Sequence, residues 1–379
     1  MKDLNKRFKI QHQALRDPID VAGANWQQAG IDADSLKFRV SGQFSAALEK
    51  SGRMLVITRE YEHLILTLSV HSGRVKQTIF PLPHPSGIAV CQQTHRLYVA
   101  ATRNPNQLIE FQPAFDSNKG TSRWLPSRIK YYPGSTYFHD LAFLKGELYG
   151  NSVGQNGLIK VDFNKPGPEP LVWWPKCVEK ADGTPDNSVN YIQLNSIAAG
   201  NTPEESFFTA SSDKISARRP GHLNYPVNKR GVLFSGKTRK TVVSGLTRPH
   251  SAKFHEKKIW LNNSGYGELG YTDDGKFRAV GKFPGWTRGL SICGNYAFIG
   301  ISRILPKYAH YAPGLKGLKK QYCGIFAFDM KSGNIVGSLT WPFANQIFAV
   351  ESADPKIVSG FPCESTKPLD KGQLKFFYQ

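Results

Sequence analysis

Two histidines and one arginine in this 379-residue sequence carry side chains suited to moving a proton beside a negative charge. His139 and His250 carry imidazoles, which titrate near neutral pH and therefore act as general bases in many enzymes. Arg288 carries a guanidinium, which stays charged and binds carboxylates through two parallel hydrogen bonds. The three residues are far apart in the chain, so this chemistry requires a fold that brings them together.

The same histidines, together with Asp140, are also of the residue types that ligate divalent metal ions. Two forms of the site therefore stay open at this point. In one, His139, Asp140 and His250 hold a divalent metal ion. In the other, a histidine takes a proton while Arg288 holds an anionic group, without a metal. No Ser-His-Asp or Cys-His arrangement stands out, which favours lyase or epimerase chemistry over nucleophilic hydrolysis.

A hidden repeat indicates how such distant residues could meet. A polar residue, a small or acidic residue and two or three apolar residues recur at intervals typical of one propeller blade. The segments are HPSGIAV (84–90), HDLAF (139–143), NSIAA (195–199), HSAKF (250–254), RGLSI (288–292) and QIFAV (346–350). Most are followed by a turn and by further strand patterns that are rich in β-branched and aromatic residues. The sequence therefore predicts an all-β fold, a single β-propeller of six blades with four antiparallel strands each.

The first unit has no equally clear inner strand, so the blade count has an alternative. If QIFAV near the C-terminus supplies that strand, six blades close the ring. If FSAAL (44–48) is a strand, the count is seven. FSAALEKSG also has the pattern of a short helix that ends at Gly52, which favours six. We expect residues 1–40 to be an N-terminal tail, 41–361 the propeller and 362–379 a C-terminal tail.

The predicted fold places polar residues around one mouth of the central channel. Because successive strands of a blade are antiparallel, the start of each inner strand and the end of each second strand lie on the same face. Glu268, in the NNSGYGELG segment, is a further candidate acid or base, although it could also be a turn residue with an exposed carboxylate. The predicted substrate-binding residues are Ser86, Arg103, Asn151, Asn195, Ser264, Glu268, Ser302 and Gln346. The basic loops 213–230 and 303–320 are expected to overhang this mouth.

The net charge of +20 favours an anionic partner, such as a small anionic molecule or an acidic glycan. No DNA- or RNA-binding signature accompanies the charge, which disfavours nucleic acid. No apolar run is long enough for a membrane-spanning helix. The five cysteines form no CxxC pair and are odd in number, which is typical of a reducing compartment, so we expect a cytoplasmic protein.

Several segments of the chain resemble an uncharacterised bacterial family known only as a domain of unknown function. The resemblance covers about residues 50–350. It is carried by LPHPSGIAV, FHDLAF, LNSIA, RPHSAKFHEKKIWLNNSGYGELG, FPGWTRGLSICGNYAFIGISR and YCGIFAFDMKSGNIVG. The resemblance implies matching positions at Arg103, His139, Asn195, His250, Ser264, Glu268, Arg288 and Ser302. It implies no reaction, because the family has no established activity.

Two classes of function follow from these observations. The first is an enzyme, a lyase or isomerase, that acts on a small anionic, sugar-acid-like substrate with a histidine base and Arg288 as the anion clamp. A divalent metal ion could assist it. The second is a non-catalytic propeller that binds an acidic glycan or a protein partner through its basic loops. That alternative predicts that Arg218, Arg219, Lys319 and Lys320 matter more than the histidines.

Overall fold

The strands and helices come from a computed structural model that describes residues 32–103, 106–117, 120–132 and 136–364, and the backbone of 376–378. The strands are β1 (Arg39–Gly42), β2 (Met54–Arg59), β3 (Leu64–His71), β4 (Arg74–Pro81), β5 (Pro85–Val90), β6 (Leu97–Ala101), β7 (Gln107–Asp116), β8 (Thr121–Tyr131), β9 (Phe138–Leu144), β10 (Glu147–Ser152), β11 (Gly157–Lys160), β12 (Leu171–Trp173), β13 (Leu194–Ala198), β14 (Phe207–Ala210), β15 (Gly231–Ser235), β16 (Thr241–Leu246), β17 (Pro249–His255), β18 (Lys258–Asn263), β19 (Glu268–Asp273), β20 (Lys276–Lys282), β21 (Trp286–Cys293), β22 (Tyr296–Ser302), β23 (Gly324–Asp329), β24 (Asn334–Thr340), β25 (Ala349–Ala353), β26 (Cys363–Glu364) and β27 (Phe376–Tyr378).

Helical structure in the described residues is limited to one α-helix and short 3-10 turns. The helix is α1 (Phe44–Lys50) and the 3-10 segments are Ala33–Leu36, Lys176–Val178, Ser264–Tyr266, Pro306–Tyr311 and Pro313–Leu315. None of these described helices has the length and apolar character needed to cross a membrane.

Six sheets form the blades of a β-propeller, as the repeat predicts. Blade 1 contains β25, β2, β3 and β4 from the channel outward. The next five blades follow in chain order as β5–β8, β9–β12, β13–β16, β17–β20 and β21–β24. Neighbouring strands within each blade are antiparallel. The segment that could have added a seventh blade is instead α1, which buries Phe44 and Leu48 against blade 6 and blade 1.

The ring is closed by strands from distant parts of the chain. β25 supplies the inner strand of blade 1 and pairs with β2, with Val56 opposite Glu351. β1 extends the outer edge of blade 6 by pairing with β24. β26 pairs with β4 and β27 with β7. These pairings attach residues near both predicted tails to the propeller. Residues 1–31 lie outside the described residues, and the predicted domain boundaries stay a prediction.

Apolar side chains fill the spaces between blades. Phe80, Phe111, Trp124 and Phe361 pack between blades 1 and 2. Trp173 stacks on Phe208 between blades 3 and 4, with ring centroids 3.9 Å apart. Burial of each such ring stabilises the fold by about 1.5–3 kcal/mol, which holds the blades as a rigid scaffold.

A ring of buried side-chain hydrogen bonds also joins each blade to the inner segment of the next. We call the donors of these bonds the interblade ring. Each donates from its side chain to a backbone carbonyl across the blade boundary, over 2.6–3.3 Å. The bonds run from Thr58 to Ser86, Ser86 to Phe138, Asn151 to Leu194, Asn195 to Pro249, Asn262 to Gly289, and Ser302 to Ile347. The polar residues at these buried positions are therefore part of what closes the ring.

The inner strands of four blades begin from an unusual backbone conformation. The residue before β5, β9, β13 and β17 is His84, Tyr137, Gln193 and Arg248, and each has a positive φ of 46–52°. Residues other than glycine rarely adopt this left-handed backbone conformation, which costs about 1–2 kcal/mol per residue. The register of the inner strand shifts close to these starts in all four blades. Such irregularities re-aim side chains, here toward the channel mouth.

Candidate functional site

A cavity of about 480 Å³ occupies the mouth of the channel at the predicted face. Residues from all six blades line it, which is possible only where the blades converge. Its volume lies within the range of small-molecule sites in proteins. The lining residues are Glu60, Tyr61, Thr102, Arg103, Tyr137, His139, Val153, Asn190, Gln193, Arg248, His250, Trp286, Arg288, Ser302, Arg303, Ile304, Leu305, Tyr308, Tyr311, Asn345, Gln346 and Phe348.

The structure brings together six of the predicted site residues at this cavity. They are Arg103, His139, His250, Arg288, Ser302 and Gln346. The catalytic set of two histidines and Arg288 thus shares one cavity, although its members are far apart in sequence. The side-chain oxygen of Gln346 is buried and has no hydrogen-bond partner within the described residues.

Other predicted binding residues lie behind the cavity wall. Ser86, Asn151 and Asn195 are buried members of the interblade ring. Ser264 is buried and contacts His250 from behind. Glu268 accepts a hydrogen bond from the side-chain amide of Asn263 at 2.8 Å and does not line the cavity. These residues make structural contacts and do not line the cavity, and their predicted contact with a substrate stays a prediction. Ser302 does both, because it lines the cavity and bonds Ile347.

The hydrogen bonds of His250 determine which of its ring nitrogens is free. Nδ1 lies 2.8 Å from the carbonyl oxygen of Arg248 and 3.0 Å from Oγ of Ser264. A carbonyl oxygen only accepts, so we assign the hydrogen of the neutral ring to Nδ1. Nε2 then carries a lone pair and is the basic atom.

Both histidines are neutral at physiological pH. Burial lowers the pKa of His139 well below its usual 6.5, and the charge of Arg288 lowers it further. Burial likewise lowers the pKa of His250, with Arg288 again the next contribution. Nδ1 of His139 is buried with no hydrogen-bond partner among the described residues. Neutral imidazoles beside cations are ready to accept a proton once an anion balances those cations.

Arg248 is a buried cation without a carboxylate partner. Its side chain is 3% exposed and its guanidinium stacks 3.8 Å from the ring centroid of Tyr311. Nη1 donates to the side-chain oxygen of Gln193, while Nε and Nη2 have no partner in the described part of the chain. Burial lowers the pKa of this guanidinium. Unpartnered buried donors of this kind are rare in folded proteins, and at the wall of a cavity they are able to bind an anion.

Arg288 is a second cation without a carboxylate in a salt bridge, and it is half-buried. Its guanidinium lies 3.3 Å from the ring centroid of Phe348, and it forms no hydrogen bond or salt bridge with the residues that the structure describes. Burial lowers the pKa of Arg288 to about 10, although the more distant charge of Glu60 acts in the opposite direction. The guanidinium therefore stays charged at neutral pH.

The remaining charges of the cavity are balanced only at Arg103. Nε of Arg103 lies 2.9 Å from Oε1 of Glu60, which also accepts a hydrogen bond from Thr102 at 3.0 Å. Arg303 donates to the backbone carbonyl of Pro342. Glu60 is the one carboxylate among the lining residues. The cavity as a whole is electropositive.

One of the two basic loops contributes to the cavity. The segment from Arg303 to Tyr311 forms part of its wall. The rings of Tyr308 and Tyr311 stack there, with their centroids 5.5 Å apart. The loop 213–230 supplies no lining residue of this cavity, so its expected position over the mouth stays a prediction. Within this loop Arg218 is exposed and Arg219 is half-buried.

The predicted metal ligands are not arranged as a metal site. Within the described ranges, no group of three or more His, Cys, Asp or Glu residues could hold a metal ion. The carboxylate of Asp140 accepts hydrogen bonds from the backbone N–H groups of Ile197 at 2.9 Å and Leu141 at 3.1 Å. Burial raises its pKa to about 7. Two guanidiniums beside the imidazoles also repel a cation, so the residues fit an anion better than a divalent metal.

The family model described as Domain of unknown function (DUF4915) matches residues 42–357. The chain belongs to this family. The match covers every blade and all the cavity residues, which agrees with the resemblance seen in the sequence. A search of curated proteins finds no match to the DUF4915 chain.

Among solved structures, a chain of a nidogen/laminin complex superposes on the DUF4915 chain with a TM-score of 0.51 at 9% identity. That alignment covers 79% of this chain and 98% of the other, and it supports the propeller fold. A gluconolactonase from Xanthomonas campestris gives 0.44 at 12% identity, over 69% of this chain and 77% of the other. A luciferin-regenerating enzyme gives 0.45 at 11% identity, over 69% and 77%.

Several residues of the DUF4915 cavity were missed by the sequence analysis. The most important is Arg248, which stands immediately before the strand that begins with Pro249 and His250. Gln193 occupies the same position one blade earlier, and Tyr137 one blade before that. The signal that could have found them is the polar or aromatic residue directly before each inner strand, which the left-handed backbone turns into the cavity.

Proposed function

We propose that the channel-mouth cavity binds a small anionic, sugar-acid-like molecule and that this chain is a lyase or an epimerase acting on it. The observation that carries the proposal is the arrangement of two unpartnered guanidiniums, Arg248 and Arg288, around two neutral imidazoles. Cations that the fold leaves unbalanced attract an anion, and imidazoles held neutral can take its proton.

In this mechanism Nε2 of His250 removes the proton from the carbon next to the substrate carboxylate. The electron pair of the broken C–H bond moves onto the carboxylate, and the guanidiniums neutralise the additional negative charge. The bound anion also offsets the repulsion that Arg288 exerts on the imidazolium, so the pKa of His250 rises when it must hold the proton.

The reaction can end in two ways. If a leaving group stands on the next carbon, the electron pair from the C–H bond forms the new double bond and the group departs with the pair of its own bond to carbon. This is lyase chemistry, and the imidazolium of His250 can give its proton to the leaving group.

If no such group is present, a proton is returned to the same carbon. His139 comes from blade 3 and His250 from blade 5, so the imidazoles approach a bound molecule from two positions on the ring. His139 can return a proton from the second position only as an imidazolium, so it must take a proton from solvent once the bound anion offsets the charge of Arg288, and His250 then releases its own proton to solvent. Inversion of the carbon in this way is epimerase chemistry.

Hydrogen exchange tests this proposal directly. A panel of sugar acids in D₂O is incubated with the protein, and loss of the C–H signal next to the carboxylate is followed by NMR. We expect exchange with at least one member and a decrease of at least about 100-fold in His250→Asn, the usual contribution of a general base. The matched control is His222→Asn, because His222 is an exposed histidine of the loop 213–230.

The outcome that contradicts the proposal is equally defined. Binding of no panel member, or exchange that persists in folded His250→Asn and His139→Asn, removes the histidines from the chemistry. If an acidic glycan binds and its affinity falls with Arg218→Gln and Lys319→Gln rather than with Arg288→Gln, the non-catalytic alternative is correct. The cavity is the better supported of the two sites, because Arg248 holds buried donors without partners there, whereas Arg218 and Lys319 are exposed to solvent.

A further inference from the structure

The charge balance of the cavity points to a ligand with two negative charges, and we propose that a doubly anionic sugar acid is the class of molecule bound. This inference rests on the proposed function and specifies its substrate. The shared chemistry is two charges in one small molecule, whether they come from two carboxylates or from a carboxylate and a phosphate.

The count of unbalanced cations is the first argument. Four guanidiniums line the cavity, and only one carboxylate, Glu60, does so. Glu60 is used by Arg103, with which it forms a salt bridge of 2.9 Å. Arg248, Arg288 and Arg303 form no salt bridge with a carboxylate in the part of the chain that the structure describes. Arg303 differs from the other two in donating from Nη2 to the backbone carbonyl of Pro342, so Arg248 and Arg288 are the cations most open to a ligand. A ligand with one charge would leave one of them uncompensated in a desolvated site.

The free atoms of Arg248 are the second argument. Nη1 is occupied by Gln193, and the unpartnered buried donors are Nε and Nη2. These two atoms form one edge of the guanidinium and point in parallel, which is the geometry that binds both oxygens of a carboxylate or two oxygens of a phosphate. One anionic group therefore satisfies Arg248 completely.

The two guanidiniums stack on different aromatic rings, and this separation also favours two charges on the ligand. Arg248 precedes the inner strand of blade 5 and stacks on Tyr311. Arg288 stands in the inner strand of blade 6 and stacks on Phe348. Each guanidinium plane is thus fixed by its own ring on its own element. An anionic group that pairs with the free edge of Arg248 does not also neutralise Arg288. Arg288 therefore pairs with a second anionic group of the same ligand.

Matched pairs of ligands test the inference by isothermal titration calorimetry. Gluconate is compared with glucarate, which adds a carboxylate, and with 6-phosphogluconate, which adds a phosphate. We expect at least one dianion to bind about tenfold or more tightly than gluconate, since charge-assisted pairs are the strongest hydrogen bonds available. The pair that shows the gain identifies the source of the second charge.

Variants locate the gain. In Arg248→Gln and in Arg288→Gln the advantage of the dianion should fall to about twofold or less, because one cation then remains. Arg218→Gln, an exposed control outside the cavity, should keep the full advantage. Circular dichroism and thermal melting confirm that each variant is folded, and the two arginine substitutions test the same point independently.

The results distinguish the inference from the proposed function. Equal affinity for gluconate and both dianions would overturn the inference of a doubly charged ligand. If the protein then still catalyses hydrogen exchange of a monoanion, and this exchange depends on His250, the enzyme proposal stands. A dianion advantage that survives both arginine substitutions would also overturn it. Binding of none of these probes, with no exchange by the wider sugar-acid panel, would count against both.

Discussion

Two sets of polar side chains stand next to each other at the channel mouth and differ in whether the protein itself satisfies their hydrogen-bond donors. The interblade ring, with members such as Ser86 and Asn151, has a protein partner for each donor that crosses a blade boundary. The pair Arg248 and Arg288 has donors that no residue in the described ranges accepts. Both sets interrupt the apolar pattern of the strands. The comparison teaches that polarity at a convergent position is compatible with either scaffold or site, and that the donors separate the two. The side-chain oxygens do not, because those of Asn195 and Asn262 in the interblade ring also lack a partner within the described residues.

The physical basis of this difference is the free energy of a buried polar group. A satisfied buried hydrogen bond contributes about 0.5–1.5 kcal/mol to stability, whereas a buried group without a partner costs about 1–3 kcal/mol. A polar group without a partner is therefore expected where it serves binding rather than stability. We interpret the arginine pair as destabilising groups kept for binding, and the interblade ring as groups that stabilise the fold.

The largest effect should come from breaking the interblade ring at Asn151. Its amide donates to Leu194 at 3.0 Å, and its oxygen accepts from the backbone N–H groups of His139 and Asp140. Asn151→Ala leaves all three groups unpaired and should lower the free energy of unfolding by about 2–4 kcal/mol. Urea denaturation measures this.

The control for that variant is Asn224→Ala, at an exposed loop position, which should stay within about 0.5 kcal/mol of the wild type. An Asn151→Ala protein as stable as this control would mean that the ring hydrogen bonds do not hold the blades.

Replacing an unpartnered arginine should have the opposite sign. Arg248→Met keeps an unbranched chain against Tyr311 and removes a buried charge that has no carboxylate partner. We expect the variant to be more stable by about 1–3 kcal/mol and to lose affinity for anions. Thermal melting without ligand and calorimetry with ligand report the two effects. A destabilised Arg248→Met would show that Arg248 is a structural residue, like Asn151.

The most gradual effect is a dependence of stability on pH. The folded state holds His139 and His250 with a pKa well below 6.5, whereas in the unfolded chain each accepts a proton near its ordinary pKa. Their contribution to stability is therefore complete above about pH 6.5 and decreases as the pH falls below it, by up to about 1.4 kcal/mol per pH unit for each group. Replacement of both by asparagine should flatten the decline between pH 6.5 and 5, as measured by urea denaturation. An unchanged slope would place both imidazoles in a solvated environment.

Much of the fold could be predicted because the propeller repeats its pattern. The inner segments recur with similar hydrophobic order, so six blades, the helix α1 and the closure by QIFAV follow from local patterns and antiparallel geometry. The common location of His139, His250 and Arg288 follows from the same geometry.

The remaining part of the site depends on features that strand patterns do not contain. Arg248 stands outside its strand, and its direction is set by a left-handed backbone at φ 52°. Asn151 and Ser86 are polar in the sequence, but only the three-dimensional structure shows that a neighbouring blade satisfies them. The metal set of His139, Asp140 and His250 fails for the same reason, because the partners of the Asp140 carboxylate are backbone groups.

The late position of β25 affects the order in which this protein is made. Gln346 and Phe348, which line the cavity, directly precede the strand that completes blade 1. While the ribosome is still synthesising blade 6, Arg288 lacks the Phe348 ring on which it stacks. A nascent chain therefore acquires its binding pocket only after residues 346–353 have emerged and paired with β2, so capture of an anion would report that assembly is finished.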